Sequence, residues 1–201
     1  MTLGILEHQR QLFDCNFDHF IWCCQEGSKV PATIEKNSSF DIVYGIPQNS
    51  AIPRNSLVVL DDLQSFWQKE TQLLFTVYSH HHNITVIALA HNLFSKNKYA
   101  RDVTLSTKYL ILKRSPRDIA QYHHFARQVA GQRSKQLISA LQDACTLPFS
   151  YLLIDLTQRA HPGLKYRSQI LPTDANSVIY ATEKDVLDLV RSDPNYERYR
   201  D

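Results

Sequence analysis

Short apolar runs punctuated by turn-forming and polar residues recur along the chain. They are HFIWCC (19–24), FDIVYGI (40–46), LVVL (57–60), ITVIALA (84–90), YLILK (109–113) and YLLIDL (151–156). Each has strand length, and several are apolar on both faces, as in a parallel sheet covered by helices. Between them the apolar period changes to that of a helix. Leu63, Phe66, Trp67, Leu73, Leu74 and Val77 predict a helix over 62–79. Ile119, Tyr122, Phe125, Ala126 and Val129 predict one over 117–129, and Leu137, Ile138 and Leu141 one over 134–145. Alternating strands and helices define an α/β fold, with a mostly parallel sheet flanked by helices.

The interval GIPQNSAIPRNS (45–56), with its prolines and turn formers, reads as a surface loop. Beyond residue 160 the pattern predicts a loop, a short edge strand, a helix near 182–191 and a frayed polar tail, SDPNYERYRD. No repeat or low-complexity tract interrupts the chain. The expected organisation is one domain over 1–170, followed by an edge strand, helix and tail over 171–201.

Composition narrows the setting. At 201 residues and 43% hydrophobic, the chain is long enough for a substantial core. Cys15, Cys23, Cys24 and Cys145 contain no C-x-x-C pair, and the start lacks the pattern of a secretory signal. Reduced thiols in a nuclear or cytoplasmic protein are expected. No apolar run is long enough to cross a bilayer, so no membrane partner is expected. The net charge of +2 is uneven: ten Lys/Arg against two Asp give +8 between Lys96 and Lys135, leaving −6 elsewhere. Such a segment can attract phosphates, or can be a solvated face.

Candidate chemistry lies where strands end. LVVLDDL places Asp61 and Asp62 at the carboxyl end of a buried strand, where α/β sheets bind ligands. The pair can hold magnesium and activate water, or can cap the next helix. ITVIALAHN ends its strand on His91-Asn92, a polar tip that is a phosphate sensor or a turn. In KRSPRD, Pro116 opens a helix with Asp118 at its positive end, and Arg117 can project toward a phosphate or into solvent. His80, His81 and His82 suit the end of a helix and have no zinc-ligand spacing. The five glycines are too scattered for the G-x-x-x-x-G-K-[ST] loop that wraps phosphates. By itself the chain is expected to bind ATP poorly.

The ordered series FIWCC, LVVLDDL, LLFTVYSHHHNITVIALAHNLF, RDVTLSTKYLILKRSPRD, FARQV and YLLIDL, over about residues 5–170, resembles the ATPases encoded by virus-like elements of invertebrate genomes. These are similar to genome-packaging ATPases of the adenovirus and Polinton/Maverick type. The resemblance implies a P-loop core of the FtsK/HerA kind, using ATP and magnesium to move double-stranded DNA into a capsid, as a homo-oligomeric ring. Residue by residue, Asp61 matches the magnesium-holding acid of Walker B, Asp62 the catalytic acid, and His91-Asn92 the polar tip. Arg117 matches the arginine of a PRD element, which in such enzymes can act as a finger. The family's phosphate loop would fall before Met1, with LGILEHQRQLFD as the helix that follows it. The chain thus resembles a member cut after Walker A, lacking the first strand. Loss of that strand predicts unpaired edges and a marginal, aggregation-prone product. The alternative is a non-enzymatic remnant or adaptor that binds nucleic acid through its basic segment.

Overall fold

The computed structural model describes residues 1–115 and 117–192. The chain divides into two compact units: Phe13–Thr107, and Met1–Leu12 together with Lys108–Asp201. The divisions fall at 12/13 and 107/108. The basic segment 96–135 is thereby shared between the units.

The first unit is built on four strands: β1 (His19–Cys24), β2 (Phe40–Tyr44), β3 (Ser56–Asp61) and β4 (Thr85–Leu89). All pair in parallel, in the order β2-β1-β3-β4. The apolar runs explain the order. Leu57, Val58, Val59 and Leu60 are wholly buried, as a central strand requires, and each such side chain contributes about 1.5–3 kcal/mol. The β4 residues are all half-buried, as suits an edge. Ile21, Cys23, Val58 and Leu60 share one core with Leu63 and Leu74, against which Phe75 and Tyr78 pack.

The helix expected over 62–79 starts later. Residues 64–66 form a 3-10 turn, and the helical path runs Lys69–Leu73, Leu74–Tyr78 with π-helical bonding, then Ser79–His81. Trp67 adopts extended backbone (φ −59°, ψ 131°), which no helix accommodates. Leu63 and Trp67 are buried, yet from the turn and not from a helix face. The histidines end the helix as expected. Asn83 follows at φ 54°, a left-handed conformation asparagine tolerates, and its side chain donates to Asn55 Oδ1 at 2.9 Å.

The second unit corrects the single-sheet expectation. Its strands β5 (Tyr109–Leu112), β6 (Leu152–Asp155), β7 (Tyr166–Ser168) and β8 (Val178–Ile179) pair antiparallel, in sequence order. The runs at 109–113 and 151–156 are strands, but not of the parallel sheet. Helices Ile119–Ala130 and Ser134–Ala144 pack on each other and bury Tyr122, Phe125, Ala126, Leu137 and Leu141. The expected C-terminal helix is Glu183–Arg191; the tail over 193–201 lies outside the described residues. This helix is anchored by Asp185, 2% exposed, which accepts from Thr182 Oγ1 at 2.6 Å and from Arg133 Nη1 at 2.7 Å. Burial pushes the Asp185 carboxyl up, but the Thr182 and Arg133 bonds outweigh it and hold it below the usual range. Among the described residues no helix is long and apolar enough to cross a membrane. All four cysteines are free, and burial, with Cys24 beside it, pushes the Cys23 thiol up to about 12.

Candidate functional site

Parallel pairing brings the carboxyl ends of β1, β3 and β4 to one edge of the first unit. Asp61 closes β3 and is half-buried; it faces the side of the sheet shared with Leu57 and Val59, next to the buried Cys24 of β1. Among the described residues its carboxylate accepts no hydrogen bond. Burial raises its pKa, the Asp62 charge raises it further, and His91 works in the opposite direction. A desolvated carboxylate beside another negative charge is one that a cation would stabilise.

Asp62 turns away from the strand through a left-handed backbone, φ 53°. That conformation carries its carboxylate toward the tip of β4, where Oδ1 lies 3.0 Å from His91 Nε2. Both side chains are open to solvent. The capping alternative is not what the chain adopts: the turn over 64–66 has Leu63 at its N-cap, and the helix at Lys69 has Gln68. Asn92 is also held at this edge. Gln64 Nε2 donates to Asn92 O at 2.6 Å, and Asn92 N returns a bond to Gln64 Oε1 at 3.1 Å. From the end of β1, Gln25 Nε2 donates to Asp62 O at 3.1 Å.

Four sequence-predicted residues, Asp61, Asp62, His91 and Asn92, therefore meet. Arg117 belongs to the other compact unit, in the exposed turn before the helix Ile119–Ala130. Pro116, expected to open that helix, lies outside the described residues. Asp118 occupies the N-cap position, but its carboxylate accepts from Gln121 Nε2 at 3.2 Å and not from a helix amide. Gln25 and Gln64 carry no motif that marks them in the sequence. Gln25 does obey the rule that marks His91, since it too is the first polar residue after an apolar strand.

The residues match half of what magnesium and a nucleotide need. Asp61 suits a water-mediated contact to magnesium, a cation that keeps several of its waters. Among the described residues no three His, Cys, Asp or Glu side chains converge to hold a metal ion, so phosphate oxygens and water would have to complete the shell. The phosphate side does not fit. Gly27 and Gly45, at φ 81° and 90°, follow β1 and β2 at this edge, but the only helix between those strands is the four-residue Ala32–Glu35. Its few amides make no phosphate cradle.

The fold and site define an α/β protein with a four-stranded parallel sheet and an acidic, histidine-linked carboxyl edge. Compared with protein-family models, with curated proteins and with solved structures, the chain matches none.

Proposed function

We propose that this chain carries the acid half of a nucleotide-hydrolase site, of the kind used by ATPases that move double-stranded DNA in viral packaging. The observation that carries the reading is the convergence of Asp61, Asp62 and His91 from the ends of two adjacent parallel strands. Asp61 is the magnesium-facing carboxylate. Asp62, steadied by His91 and by Gln25 on its carbonyl, is placed to take a proton from water. Hydrolysis needs a phosphate loop that these 201 residues do not contain. Arg117 as a finger, a ring of subunits and capsid partners belong to the same proposal and rest on the resemblance alone.

The test joins a segment bearing G-x-x-x-x-G-K-[ST] ahead of Met1 and measures ATP hydrolysis with and without duplex DNA. The expected result is DNA-stimulated turnover that Asp62→Asn reduces by about 100-fold or more. Turnover no greater than in the Asp62→Asn protein would remove the proposal. The alternative of a nucleic-acid adaptor keeps one specific support, a basic and aromatic surface in the second unit.

A further inference from the structure

The turn that joins the helix Ser134–Ala144 to β6 is unusual in what it exposes. Ser150 N donates to Leu147 O at 3.3 Å, closing a four-residue turn with Pro148 second and Phe149 third. Phe149 has φ 64°, which a turn normally assigns to glycine or asparagine at that position. Its ring is nevertheless 91% exposed, and Leu147 is 70% exposed. A bulky side chain thus stands in a disfavoured conformation with no packing in the chain to reward it. Backbone strain of this sort clusters at active sites, ligand clamps and switch regions. The turn is held at its base: Thr146 Oγ1 donates to Asp143 O at 2.8 Å, and the buried Cys145 Sγ lies 3.8 Å from Leu112 O at the end of β5.

Beside Phe149 is a recess of about 410 Å³ whose lining includes Lys113 and Arg114, both exposed. Arg114 also borders a smaller recess, where Ile119 and His123 line the wall. Neither recess has a carboxylate in its lining. The surface therefore offers one exposed aromatic face and a shallow, open recess lined by cationic groups and by no carboxylate, with Asp118 and Asp143 lying outside the lining. Charge complementarity calls for an anionic partner, and the ring for a flat group to lie on it.

We infer that this surface binds single-stranded nucleic acid, with an unpaired base stacked on Phe149 and the adjoining phosphates on Lys113 and Arg114. Stacking platforms flanked by basic side chains bind single strands with little sequence preference. A duplex cannot satisfy the site, because its bases are already stacked on one another. A bilayer fits it less well: the cations line the recess itself, and the exposed apolar side chains beside it are few, Leu147, Phe149 and Ile119.

The test uses the full chain and labelled 12-nucleotide oligodeoxythymidylate and oligouridylate, with a duplex of equal length, phosphatidylserine vesicles and polyglutamate as competitors. Binding to a single strand is expected, weakening with salt. Phe149→Ala should weaken it about tenfold with an unchanged salt slope, and Phe149→Trp should retain it. Arg114→Ala should weaken it and lower the slope by about 0.7 for each phosphate that is no longer neutralised. Because Phe149 is exposed, its replacement removes no core packing, and circular dichroism checks the fold. No binding to either strand, binding indifferent to Phe149→Ala, or tighter capture by duplex, vesicle or polyglutamate would overturn the inference. No nucleoside triphosphate enters the measurement, so its outcome is independent of the hydrolase test.

Discussion

His91 Nε2 and Asp62 Oδ1 stand 3.0 Å apart, linking the tips of β4 and β3 at the carboxyl edge of the parallel sheet. The left-handed turn at Asp62 makes this contact possible, because a continued strand would carry the next side chain to the opposite face of the sheet. The link is exposed, so its value is geometric before it is energetic. Exposed pairs of this kind contribute about 0.2–1 kcal/mol.

Substitutions at Asp62 should therefore report backbone more than charge. Asp62→Asn and Asp62→Gly are expected to leave unfolding free energy within about 0.5 kcal/mol of the parent, since both residues tolerate the left-handed region. Asp62→Val should cost about 1–2 kcal/mol, because a branched side chain meets the following carbonyl there. Urea denaturation of the three variants checks this. Equal destabilisation by all three would mean that the carboxylate, and not the turn, is what the fold needs.

Asp61 should behave in the opposite sense, as a residue whose charge is a burden to the fold. Burial and the adjacent Asp62 raise its pKa above the ordinary 3.8, so the folded state holds this proton more tightly than the unfolded one. The associated stability is fully present below 3.8 and is lost as pH rises through the raised folded value. Asp61→Asn removes that loss. Since the group is only half-buried, solvent screens it, and the gain at pH 7 should be about 0.5 kcal/mol. It should shrink toward zero below the ordinary value. Thermal melts from about pH 3 to pH 8 measure it; a variant less stable than the parent at neutral pH would show that Asp61 makes a favourable contact in the folded chain.

The six apolar runs all become strands, because length and continuous hydrophobicity are local properties that survive folding. Which strands pair is not local. YLIL, and LLI ahead of Asp155, are as apolar as the runs at 57–60 and 84–90, so nothing within them marks the antiparallel sheet that they enter. The signal for β7 and β8 is weaker still, with three and two residues. At the candidate site, the meeting of Asp61, Asp62, His91 and Asn92 was legible because strand ends in a parallel sheet share an edge. The positive φ at Asp62 was not, since aspartate occupies caps, turns and left-handed positions alike. Trp67 misled in a simple way: it recurs at helical spacing from Leu63 and is buried, yet an extended residue places it there.

Asp185 is expected to anchor the C-terminal helix at a cost that depends on pH. It accepts from Thr182 and Arg133 while nearly excluded from water, and its carboxyl is held below 3.8. Its contribution is present above that value and is lost as pH falls through the lower folded one. At neutral pH Asp185→Ala removes a helix-capping box and leaves Arg133 unpaired, for a loss of about 2 kcal/mol. Part of Arg133 remains in water, which limits the penalty. Hydrogen exchange of amides 183–191, compared with that of β6, distinguishes local fraying from global loss. Unchanged protection in both would show that the cap contributes nothing.

The turn at Leu147–Ser150 supplies the sharpest contrast between stability and binding. Phe149 bears a left-handed backbone that costs an ordinary residue roughly 1–2 kcal/mol, and its exposed ring recovers almost none of this by packing. Glycine at this position avoids the steric cost but adds freedom to the unfolded chain worth about 0.5–1 kcal/mol. Phe149→Gly should therefore stabilise the protein by up to about 1 kcal/mol, a rise of a few degrees in Tm for a chain of this size. Phe149→Ala, which keeps the strain, should leave Tm nearly unchanged. Both should lose the stacking platform equally. A ring retained for packing predicts the reverse order, with Phe149→Gly the least stable of the three proteins, so calorimetry of this pair separates a residue kept for the fold from one kept for contact.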